Sequence, residues 1–122
     1  MIIVASTFSW GNLTALAAST PPAYSIPALT GNQRVDAVNI AKSQVGYREG
    51  SGNLNAYGSD LGQNGLEWCA FFAIWCTKKA GVDERPTSGS TTANVTWFQN
   101  RGLWHNKSSV AWNYGGKGLM EL

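Results

Sequence analysis

The stretch "GLEWCAFFAIWCTKKAGV", residues 65–82, decides the fold, because it holds both cysteines of the chain inside an almost unbroken apolar run. Residues 68–76 are apolar on every side of a helical projection, which predicts a buried central helix. Lys78 and Lys79 place positive charge at its end and Gly81 supplies a stop. On such a helix Cys69 and Cys76 share one face but are separated by about 10.5 Å of rise. A disulfide tolerates Cα separations only up to about 7 Å, so no intrachain bridge forms unless the helix is absent. Two cysteines at this spacing and one histidine, His105, do not make a zinc ligand set. Both cysteines therefore read as free thiols. Cys76, mid-helix between Trp75 and Thr77, reads as a small buried hydrophobe. Cys69 sits at the helix start, where unpaired amides favour a thiolate, and position alone leaves it either a reactive thiol or a second core cysteine.

On the N-terminal side, residues 47–67 are rich in glycine and asparagine with no helical or strand period. That predicts a loop, long enough for a compact domain to suggest function. Before it, "NQRVDAVNIAKSQVGY" spaces Val35, Val38, Ala41 and Val45 at helical intervals, with Asn32 as N-cap and Gly46 just past the end. Residues 18–31 carry three of the four prolines and read as a linker, with the domain boundary near Thr30. The first residues, "MIIVASTFSWGNLTALAASTPP", contain an A-x-A-like site but no Lys or Arg before Arg34. A degraded export signal and a disordered leader both remain open. On the C-terminal side, residues 90–102 predict a third helix, capped by a Ser or Thr and stopped by Gly102. Residues 103–105 predict the start of a strand, and the tail shows no sustained period.

The 122 residues allow one domain at most, and 43% hydrophobic with 13% charged residues is a globular composition. Six tryptophans point to an aromatic-rich core or to a groove for carbohydrate or peptide. A net charge of +2, with no basic run longer than Lys78-Lys79, argues against nucleic acid. No stretch approaches the ~18 apolar residues of a membrane span.

Three segments in this order, "AKSQVGYREGSGNLNAYG", "EWCAFFAIWCTKKAGV" and "WFQNRGLWH", resemble the CHAP family of cysteine, histidine-dependent amidohydrolases/peptidases, many of which hydrolyse peptidoglycan. The resemblance covers about residues 33–106. Its most specific part is Trp68-Cys69-Ala70 with the second Trp75-Cys76, preceded by Val45-Gly46-Tyr47. It implies an α+β papain-like fold, here mainly the helical N-terminal half with most of the antiparallel sheet missing. The organisation it suggests is a leader and linker over 1–31, the CHAP-like part over 32–106, and an atypical tail over 107–122. It makes Cys69 the nucleophile that forms a thioester with the scissile carbonyl, and its backbone amide one oxyanion donor. Tyr47, Glu49, Asn53 and Tyr57 would lie on one wall of the substrate groove and Trp68 beside the thiol. Loop structure explains the first four nearly as well, and a core role explains Trp68 equally well. No cofactor is implied. The partner is peptidoglycan or a peptide, and the location is secreted or at the cell wall.

Chemistry of this type needs an imidazole oriented by an Asn, Asp or Glu. In CHAP relatives the catalytic histidine arrives later, on a strand after a Pro-Gly-Asp turn. Here nothing after His105 resembles that turn, and His105 is a weak candidate base. The expectation is a truncated chain, inactive alone, whose unburied apolar surface leads to marginal stability and self-association. The alternatives are a non-catalytic wall-peptide binder and a frame-shifted fragment without function. A calcium site at Asn53, Asn55 and Asp60 is the remaining thought, but it lacks enough carboxylates and a terminal bidentate Glu.

Overall fold

The structure, a computed structural model, describes residues 18–105. The leader reading of residues 1–17 and the atypical tail therefore lie outside the described residues. Among the described residues four α-helices follow one another: α1 (Gln33–Ser43), α2 (Ala56–Asp60), α3 (Cys69–Lys79) and α4 (Thr91–Asn100). A single 3-10 turn (Ser51–Asn53) precedes α2.

Caps account for where these helices begin and end. Asn32 accepts from the amides of Arg34 and Val35, Asn55 from Gly58 and Ser90 from Ala93, so three of the four helices start on a side-chain cap. The exits of α3 and α4 are Schellman motifs. Val82 N donates to Thr77 O and Gly81 N to Lys78 O, while Leu103 N donates to Phe98 O and Gly102 N to Gln99 O. Both glycines hold positive φ, +85° and +67°, which a side chain would oppose.

The core is Ile40 of α1, Tyr57 of α2, and Trp75 and Cys76 of α3, with Ala80. Tyr57 has no exposed surface. Its ring centroid lies 4.7 Å from that of Tyr47, 4.8 Å from Phe72, 4.9 Å from Trp75 and 5.2 Å from Trp68. Such a cluster joins large apolar area to favourable ring geometry. The central helix of the sequence reading is therefore present, but one strip of it is open: Cys69 and Ala73 are exposed.

Several expectations are corrected. The α+β papain-like fold is overturned, because the described residues contain no strand and no sheet and are helical between irregular loops. The layer that the apolar helix required is supplied on one face by Ile40, Tyr57 and the surrounding aromatics. Residues 103–105 are exposed and not a strand. Residues 51–53 and 56–60, read as loop, contain the 3-10 turn and α2.

The buried face of α1 also differs from the valine stripe. Val35 and Val45 are exposed, and the buried line is Asp36, Ile40 and Gln44. Polar residues can be buried there because their partners are built in. The Asp36 carboxylate accepts from Thr30 N and Thr30 Oγ1 at 2.8 Å and from Gly31 N at 3.2 Å. Gln44 exchanges two 2.9 Å bonds with the backbone of Tyr24. The proline-rich stretch before α1 is thus a strap laid along the domain, and buried polar groups with partners cost little.

Candidate functional site

Cys69 is the first residue of α3, and its thiol is exposed, whereas Cys76 is buried. Burial pushes the Cys76 thiol up to about 11. The two cysteines have separated into a surface group and a core group.

Trp68 sets the entry angle of α3. It occupies the N-cap position without giving a side-chain cap, so α3 differs from the other helices in leaving its first amides to the cleft or to water. The first intrahelical bond is Phe72 N to Trp68 O at 2.8 Å. The Trp68 ring is held edge-on to Tyr47 at 6.0 Å and to Phe72 at 6.2 Å, and its indole Nε1 donates to Glu49 Oε2. This bond ties the loop after α1 to the start of α3.

The loop itself is fixed from behind. Tyr47 Oη donates to Pro21 O and accepts from Ala56 N, both at 2.8 Å. Gly50 N donates to Leu54 O at 2.7 Å, closing a small loop in which Gly52 and Asn53 take positive φ of +70° and +59°. Asparagine is among the few side chains that tolerate this region. The Asn64 side chain accepts from Asn55 N and donates to Thr20 Oγ1, joining the end of the loop to the strap.

These constraints leave a cleft of about 360 Å³ lined by Glu49, Asn53, Glu67, Trp68 and Cys69. The structure therefore brings together four residues that the sequence singled out, Glu49, Asn53, Trp68 and Cys69. It does not bring in the others. Tyr57 lies beneath, fully buried, and Tyr47 supports the wall through its hydroxyl and ring without lining the cleft. His105 is exposed beyond the end of α4 and does not line the cleft. Glu67 was missed by sequence reasoning, although its place two residues before the cysteine was the available signal. Helix amides favour negative charge at the cleft, and the carboxylates of Glu49 and Glu67 oppose it.

The Asx-rich stretch is occupied by structural work. Asn55 Oδ1 accepts from Gly58 N and its Nδ2 donates to Asn53 O, while Asp60 pairs with Lys78 and Lys79 at 3.3 and 3.4 Å. Among the described residues no group of three or more His, Cys, Asp or Glu side chains is placed to hold a metal ion. No helix among them is long and apolar enough to cross a membrane.

Comparison of the chain with protein-family models, with curated proteins and with solved structures found no match.

Proposed function

We propose that the Cys69 cleft is a cysteine-nucleophile site for amide bonds in cell-wall peptides, holding such peptides without turning them over in this chain. The observation that carries the reading is the division of the cysteines: one thiol is exposed at an uncapped helix start inside a cleft, and the other is sealed in the core. Attack by Sγ on the carbonyl carbon would give a tetrahedral oxyanion beside the first amides of α3. Expulsion of the amine would leave a thioester for water to hydrolyse. The thiol proton must leave and the amine must gain one, which is the work of a base. His105 does not line the cleft, and this favours retention of the peptide over turnover. The cell-wall substrate class rests on the resemblance of the motif residues and implies action outside the cell. Self-association belongs to the same reading, since Val45, Leu66 and Leu103 are exposed.

Wall-derived peptide fragments incubated with the protein test this. Intact-mass analysis should show no product, and binding should persist in Cys69→Ala. Release of new amines by the wild type, lost in Cys69→Ala, would establish turnover instead. Absence of any binding by either form would remove the proposal.

A further inference from the structure

Beside the Cys69 cleft lies a second hollow of about 420 Å³, between the start of α3 and the segment that leads into α4. Glu67 lines both, so the two hollows meet at that residue. The second hollow therefore reaches to within two residues of Cys69 in the sequence.

The far wall of the second hollow includes Thr87, Ser88 and Gly89. This segment is neither helix nor turn through Ser88, and among the described residues no backbone N–H or C=O of Thr87, Ser88 or Gly89 makes a hydrogen bond. Yet it is anchored. Pro86 is buried, and Gly89 lies so close on the Phe71 ring that an added Cβ would stand 2.5 Å from Cζ. A fixed backbone with unpaired groups is an edge that another chain can pair with. The facing side chains suit the same partner. Gln63, Thr87 and Ser88 offer neutral donors and acceptors for the N–H and C=O of a peptide, while Leu66 and Phe71 supply apolar contact for its side chains.

We propose that the hollow between Glu67 and residues 87–89 is a subsite for an extended peptide, held through its backbone on one side of the bond presented to Cys69. This deepens the function proposed above and rests on Cys69 as the reacting thiol. Specificity in this subsite is for backbone, so it accepts varied side chains.

The test compares alkylation of Cys69 by iodoacetamide, by iodoacetyl-tetra-alanine amide, by tetra-alanine carrying a C-terminal chloromethyl ketone, and by N-iodoacetylglucosamine. At least one peptide reagent should show saturation and exceed its own single-residue analogue by about tenfold, the factor expected of one or two net hydrogen bonds. Thr87→Pro, which removes one amide donor from an exposed position, should abolish most of that gain, read as the ratio of peptide-reagent to iodoacetamide rates within the same variant. Equal rates for peptide and single-residue reagents, or a gain with the sugar reagent alone, would overturn the subsite. An inert Cys69 would instead remove the nucleophile reading. In that case amide shifts in ¹⁵N-labelled Cys69→Ala titrated with acetyl-tetra-alanine amide decide the subsite independently. Shifts at Thr87–Ser90 support it, and a spectrum unchanged there refutes it.

Discussion

Replacing Tyr57 by alanine removes the ring on which four other aromatic rings close. The side chain has no exposed surface, and truncation of a buried aromatic typically costs about 3–5 kcal/mol. For a fold of this size the total stability is on the order of 5 kcal/mol, so Tyr57→Ala should be largely unfolded or barely folded. Tyr57→Phe is the informative contrast. Its hydroxyl donates to Gln44 Oε1 over a long 3.3 Å, and that oxygen keeps its 2.9 Å bond from Tyr24 N. Loss of the hydroxyl leaves no acceptor stranded and should cost only about 0.5–1 kcal/mol. Urea titration followed by tryptophan fluorescence suits the question, since Trp68 and Trp75 both touch this ring. Tyr57→Phe should lower the midpoint by about 0.5 M or less, and Tyr57→Ala by about 2 M or to the point of losing the transition. A wild-type midpoint for Tyr57→Ala, or equal damage from both variants, would refute the assignment of this residue to the core.

Other consequences are more local. Ser90→Ala removes the cap of α4, a helix that buries no residue, and should cost about 1 kcal/mol. Hydrogen exchange should speed up across residues 91–100 while the amides of α3 stay protected. Acid should destabilise the fold. The Thr30 backbone bond, opposed by burial and aided by the Thr30 hydroxyl and Gly31 amide, lowers the Asp36 carboxyl below its usual value. Burial works to raise Asp60, but the Lys78 hydrogen bond and the charges of Lys79 and Lys78 leave it lowered too. Both contribute stability above the ordinary carboxylate value near pH 4, and it is lost as pH falls through their lowered values. The urea midpoint should therefore drop in that window, with a shallower drop in Asp36→Asn. Sedimentation at rising concentration should show self-association that Leu103→Glu weakens, and a clean monomer at every concentration would contradict it.

The parts legible in the sequence were those fixed by local chemistry. Asn32, a hydroxyl before α4, Gly81 and Gly102 marked helix ends, because caps are set by a few neighbouring residues. The apolar run of α3 and its entry at Cys69 were legible for the same reason, as was the sealed position of Cys76. What did not follow was set by contacts distant in sequence. Asp36 is the exception: its partners Thr30 and Gly31 are only six and five residues away, but they lie before the helix in the stretch read as a linker, so the valines looked like the buried face. Gln44 is buried for a similar reason, through Tyr24 some 20 residues before it. Tyr57 looked like a groove residue because it lies in a glycine-rich stretch, and only Asn55 as a cap turns that stretch into a helix that drives the ring inward. The α+β papain-like fold, expected with most of its sheet missing, was an inference from resemblance. The described residues instead cover one face of α3 with α1, α2 and aromatic side chains.

The central claim is that the two cysteines have different work, and thiol alkylation tests it most directly. Iodoacetamide labelling across pH, resolved by mass spectrometry for Cys69 and Cys76, should be run on the wild type and on His105→Ala. With its thiol held near 11, Cys76 is ionised to only about one part in ten thousand at pH 7, and burial shields it further. Labelling of Cys69 at neutral pH, with Cys76 silent until the protein unfolds and no change in His105→Ala, is the predicted result. Equal labelling of both cysteines in the folded protein would contradict the division of roles. Loss of Cys69 reactivity in His105→Ala would show that the histidine reaches the thiol after all.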